Sequence, residues 1–117
     1  MAQSVTRYFQ LMAAQKSKPS RQFWYPAADV YQTPDGWSVV VELAGVSAED
    51  IEIEIEGNCL YISGMRRHML CKAVRSCYQM EITYSRFEKS LDFPASIQGA
   101  NIEHNFDNGL LIINLRK

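Results

Sequence analysis

Long hydrophobic runs are missing from this sequence. The longest apolar stretches, "VVV" at 39–41 and "LLII" at 110–113, fall far short of the roughly 20 residues a helix needs to cross a bilayer. The opening "MAQSVTRYFQLMAA" lacks the unbroken apolar segment of a secretory signal, so the expected location is the cytoplasm. An excess of one charge is missing too. Twelve basic and 13 acidic side chains in 117 residues leave a formal charge of −1. A protein that neutralises nucleic-acid phosphates needs a positive surplus, so nucleic acid and membrane are not expected partners. Cysteine is sparse and odd in number (Cys59, Cys71, Cys77), which fits reduced thiols rather than a disulfide framework.

Catalytic equipment is equally thin. The two histidines are His68, in a basic stretch, and His104, on an apolar strand face where it reads as a satisfied or partly buried side chain. A nucleophilic cysteine requires a base within reach and a third group to orient that base, and no such set is evident. There is no glycine-rich phosphate loop and no Ser-His-Asp constellation. His68, Cys71 and Cys77 form H-x2-C-x5-C, which matches no standard zinc arrangement and supplies too few ligands. The expectation is a protein that is not an enzyme, with no cofactor and no metal.

What is present is alternation. In "AEDIEIEIEGNCLYISG", from Ala48 to Gly64, Ile51, Ile53 and Ile55 interleave with Glu52, Glu54 and Glu56. On a strand this period puts the isoleucines on one face and the glutamates on the other, whereas a helix would smear both around its axis. Gly57-Asn58 turns the chain, and Leu60 and Ile62 resume the apolar row, which describes a β-hairpin with a two-residue loop. Three like charges in a row also discourage stray strand stacking.

Similar units flank it. "TPDGW" (33–37) couples a proline with fixed φ to a glycine free to take positive φ, joining "DVYQ" to "WSVVVEL". In the latter Trp37, Val39, Val41 and Leu43 share a face. "AGVSAED" has room for one turn of helix capped by Ser47, though none is required. Later, Phe87, Lys89, Leu91 and Phe93 share a face, Pro94 ends that strand, and Ile102, His104 and Phe106 share another. Asn108-Gly109 turns into "LLIINL", with Leu111, Ile113 and Leu115 aligned. Seven or eight short strands, with turns about every ten residues, predict an all-β antiparallel sandwich. A Lys such as Lys89 on an apolar face either snorkels to water or sits at an edge contact.

Two segments stand outside the rhythm. Residues 1–26 form an N-terminal arm, flexible or partly helical, and residues 27–117 the sandwich domain. The arm concentrates Tyr8, Phe9, Leu11, Met12, Phe23, Trp24 and Tyr25 in a stretch with too few partners for its own core. These residues either cover the sandwich or capture exposed apolar segments of other proteins, a task suited to Met and aromatic side chains. The basic connection at 65–79, "MRRHMLCKAVRSCYQ", has a length that in a compact domain usually signals function or a partner contact. Its cysteines, beside Arg66, Arg67, Lys72 and Arg75, leave a thiol-based redox sensor as a minor alternative.

The order of "PAADVYQTPDGWSVVVELAGVSAEDIEIEIEGNCLYISG", "YQMEITYSRFEKSLDFP" and "IEHNFDNGLLIINLRK" resembles the small heat-shock protein family, in its bacterial and plant form, over about residues 24–117. That resemblance implies an immunoglobulin-like sandwich (the alpha-crystallin domain), no cofactor, and ATP-independent holding of unfolding client proteins during stress. It implies a homodimer made by exchange of the 65–79 loop, with contacts from Arg66, Arg67, Met69, Leu70 and Lys89. It further implies a groove that accepts an Ile-x-Ile tail, bordered here by Ile51, Ile53 and Ile55 on one strand and by Leu110, Leu111 and Ile113 on another. Departures from the family pattern are Ala44 for Pro, Ser85 for Gly, Lys89 for Arg, His104 for Ala and Arg116 for Pro. No Ile-x-Ile follows the last strand up to Lys117, so a dimer or small oligomer is expected rather than a large shell. The alternative function is an adaptor or co-chaperone module that binds one defined partner through the same sandwich.

Overall fold

The computed structural model describes residues 23–68 and 73–117, and everything below refers to those residues. Seven strands form two antiparallel sheets: β1 (Ala28–Thr33), β2 (Gly36–Glu42), β3 (Ile51–Glu56), β4 (Cys59–Met65), β5 (Arg86–Asp92), β6 (Asn101–Asp107) and β7 (Leu110–Arg116). One sheet has the order β1-β2-β7-β6 and the other β3-β4-β5. The expected all-β sandwich is the observed fold. The arm residues Tyr8, Phe9, Leu11 and Met12, and the loop residues Met69, Leu70, Cys71 and Lys72, lie outside the described residues.

The hairpins follow the turn chemistry. Glu56 pairs with Cys59 across Gly57-Asn58, and Ile51, Ile53 and Ile55 oppose Gly64, Ile62 and Leu60. Asn108 and Gly109 both take positive φ, 53° and 77°, the pair of values that a twisted two-residue hairpin demands. The turn at 33–36 works differently from the sequence expectation. Gly36 does not adopt positive φ. It lies in β2, where a Cβ would collide with the carbonyl oxygen of Leu115 on β7, so its role is to admit a neighbouring backbone.

Side chains facing between the sheets make one core. Val39, Val41 and Leu43 from the β2 run, Leu111, Ile113 and Leu115 from β7, and Leu60, Ile62 and Phe87 from β4 and β5 are all buried. The period-two pattern therefore assigns the inner face correctly on every long strand but one. On β6, Ile102 and His104 are exposed and only Phe106 packs partly against the core. The reading of His104 as a satisfied or partly buried histidine is corrected, because β6 is the sheet's last strand and its inner face overhangs the core. Ser47 precedes a single 3-10 turn, Ala48–Asp50. Its hydroxyl makes no capping bond to the backbone and instead donates to Glu49 at 3.3 Å.

Candidate functional site

The two sheets do not cover one another completely. On one side of the sandwich, edge strands β3 and β6, which belong to different sheets, border a groove of about 440 Å3. Ile51 and Ile53 form one wall, Ile102, His104 and Phe106 the other, with Ala48 at one end and Leu111 as the floor. The isoleucine row explains half of it. Along β3, Ile55 is buried at 7% exposure while Ile51 and Ile53 are only half-buried. Among the lining residues His104 is the one polar side chain. An extended segment entering here would meet apolar surface and a single imidazole. It would also meet two strand edges, whose outward backbone N–H and C=O groups lack a neighbouring strand.

The residues expected to border the groove are therefore divided. Ile51, Ile53 and Leu111 line it; Ile55 and Ile113 lie in the core; Leu110 is exposed on the opposite face of β7. The second wall, Ile102 to Phe106, was not legible from the sequence as part of this site. The signal for it was an apolar row on a strand carrying an extra polar residue.

The opposite side is closed by the chain itself. Trp24 bridges to Phe87 in parallel fashion at the edge of β5. Its N–H donates to the carbonyl of Arg86 at 3.1 Å, and its own carbonyl accepts from the N–H of Glu88 at 3.3 Å. The indole meets the Phe87 ring edge-on, with centroids 5.5 Å apart, and the Arg66 guanidinium lies 3.6 Å from the indole centroid. Arg66 also donates from Nε to the carbonyl of Thr83 at 2.9 Å and from Nη1 to that of Ala44 at 3.2 Å. One cation thus ties the arm's end, the turn after β2 and both ends of the long connection together, with cation–π attraction added to charge-assisted hydrogen bonds. Phe23 is half-buried with its ring 5.4 Å from that of Tyr25, which is exposed.

Of the expected dimer residues, Arg66 is engaged as described and Arg67 makes a two-pronged bond to Asp50, at 3.1 and 3.2 Å. That carboxylate raises the guanidinium's pKa further by hydrogen bonding. Lys89 is half-buried on β5, opposite Ile62. Beyond them the connection carries an alternation that the sequence reading stopped short of. Tyr78, Met80 and Ile82 are exposed, with Gln79 and Glu81 between them and Thr83 after them. β1, the outer strand of its sheet, exposes Val30 and Tyr31.

The thiols are unlike one another. Cys77 is exposed in the connection. Cys59 donates to Asp92 at 2.8 Å, and that hydrogen bond raises its pKa above the ordinary thiol value. Beside it Tyr61 is pushed up to about 12, by burial first and by its hydrogen bond with Cys59 second. A thiol held protonated by a carboxylate is the reverse of an activated one.

Residues 29–117 match the model of the Hsp20/alpha crystallin family. The chain belongs to that family. Over 92 residues it is 33% identical to small heat shock protein C2 of Rickettsia felis, a match covering 79% of this chain and 60% of that protein. Heat shock protein 16 of Schizosaccharomyces pombe is 34% identical over 94 residues, covering 79% of this chain and 66% of the relative. Among solved structures, heat shock protein 16.0 of the same yeast superimposes with a TM-score of 0.69 at 33% identity, covering 80% of this chain and 87% of that one. A small heat-shock protein of Xylella fastidiosa shares the fold with a TM-score of 0.65 at 24% identity, covering 80% of this chain and 86% of that one. This chain spans between about half and two-thirds of the length of the first curated relatives it matches.

Proposed function

We propose that this protein is an ATP-independent holdase of the cytoplasm, which covers apolar segments of unfolding proteins before those segments find one another. The observation that carries this reading is the uncovered apolar groove between two edge strands, in a chain of a family whose members act as chaperones. Burying apolar surface is worth about 25 cal/mol per Å2, so a client segment of a few large side chains binds weakly and reversibly, as holding rather than folding requires. The arm residues Tyr8, Phe9, Leu11 and Met12 add adaptable apolar area to the same task. Trp24 takes no part in capture on this reading, since it is anchored to β5.

The protein acts as a homodimer on this proposal, through the long connection. An alternating segment such as Tyr78–Thr83 is suited to lie along the outer edge of β1 in a second copy, facing Val30 and Tyr31. Deleting the connection should leave a folded monomer, and an unchanged dimer in sedimentation would refute the exchange. Light scattering of a heated model protein tests the main claim. Suppression should be stoichiometric in this chain and indifferent to ATP. A module that binds one defined partner would instead leave aggregation untouched.

A further inference from the structure

We infer that the outer face of the β3–β4–β5 sheet is a docking surface for the chain's own residues 1–22, held there by charge. The inference does not depend on the chaperone reading. Strand register places three rows of side chains on this face: Glu52–Ser63–Glu88, Glu54–Tyr61–Ser90 and Glu56–Cys59–Asp92. Five carboxylates thus share one face of a small sheet with the guanidinium of Arg86, and Arg67 lies near Glu52 at one end of it. Like charges so arranged repel one another, and a cationic segment laid over them is favoured.

The sequence supplies such a cover directly upstream. Residues 1–22 contain Arg7, Lys16, Lys18 and Arg21 and no acid, whereas residues 23–117 hold the remaining eight basic and all 13 acidic side chains, a formal −5. The near-neutral total conceals a basic segment joined to an acidic domain.

Geometry permits the fit. The chain enters the sandwich at Trp24, which is hydrogen-bonded to Arg86 and Glu88 at the edge of this same sheet. From β5 to β3 the sheet is about 10 Å across. Lys18 is six residues before Trp24, which allows roughly 20 Å of extended chain. Tyr61 and Glu88 alternate with the core residues Leu60, Ile62 and Phe87 and so face outward, yet Tyr61 is only 7% exposed and Glu88 1%. Glu52, Ser90 and Asp92 on the same face are exposed and remain accessible to an incoming segment.

Carbodiimide coupling of the whole protein tests the assignment, because this reagent joins amines only to carboxylates in direct contact. An equal mixture of unlabelled and nitrogen-15-labelled chains separates coupling within a chain from coupling between chains. Mass spectrometry should find Lys16 or Lys18 joined to Glu52, Glu54 or Glu56 within one chain. The yield should fall at least about fivefold from about 0.01 M to about 1 M salt, as the screening length shrinks from about 30 Å to about 3 Å. K16E/K18E should abolish coupling at these pairs, and combining it with E52K/E54K on the exposed rows should restore coupling between the same positions with the charges exchanged. Coupling solely between chains would assign the face to a second copy and overturn the proposal. So would coupling directed to Asp35, Glu103 or Asp107, a yield indifferent to salt, or a charge exchange that restores nothing.

Discussion

The two flanks of this sandwich solve the same problem in opposite ways. At the β5 edge a strand is closed by the chain's own Trp24, with two backbone hydrogen bonds, an edge-on ring contact and a cation over the indole. Across the molecule β3 and β6 border a groove of about 440 Å3, lined among the described residues by Ala48, Ile51, Ile53, Ile102, His104, Phe106 and Leu111. Both flanks present apolar residues beside strand edges, and the difference between them lies in whether the local sequence provides a cover. A covered edge adds stability. An open one costs stability and is retained where something else is to bind.

The largest expected effect comes from the residue on which the closed flank rests. Phe87→Ala removes a fully buried ring that touches both the core and Trp24, and should cost about 3–5 kcal/mol in urea unfolding. Trp24→Ala strips the cover while leaving the core intact, and a loss of about 2 kcal/mol is expected from the ring pair and the cation contact together. It should also raise hydrogen exchange at the Glu88 amide, which donates to the Trp24 carbonyl. Ile53→Ser on the open flank should cost less than either, about 1 kcal/mol, because Ile53 is only half-buried. If Ile53→Ser destabilised more than Trp24→Ala, the distinction between a closed and an open flank would fail.

Much of this contrast was legible in the sequence, and the part that was not has a physical cause. Period two sorts side chains to faces within a strand, so Ile51, Ile53, Val39, Val41 and Leu111 could be assigned from neighbours alone. Whether an inward face meets a partner depends on how far each sheet extends over the other, which no local pattern encodes. That is why His104 read as interior and Ile55 as groove-lining. Trp24 escaped for a related reason. Its single bridge to β5 is non-local, and nothing in "FWYP" separates an anchored tryptophan from the sticky residues beside it. The role of Arg66 depends on three carbonyl or ring partners, from Trp24, Ala44 and Thr83, that meet only in the folded chain.

A smaller effect concerns the thiols. Hydrogen bonding to Asp92 keeps the Cys59 proton on, so the folded value lies above the unfolded one. The stabilisation is then fully present below the free-thiol range and lost as pH rises through the raised folded value. Asp92→Asn should therefore speed alkylation of Cys59 near pH 8 and leave that of exposed Cys77 unchanged, as peptide mapping after brief iodoacetamide treatment would show. Equal rates before and after the substitution would mean that the carboxylate does not control this thiol.

The most direct test of the open flank is a titration with a short peptide carrying Ile-x-Ile, followed through backbone amide shifts. The groove should bind it weakly, moving the amides of Ile51, Ile53, Ile102, His104 and Leu111 at millimolar peptide while those of Trp24, Phe87 and Glu88 stay in place. Shifts centred on Trp24 and β5, or none at the groove, would contradict the division of the sandwich into a closed flank and a receptive one.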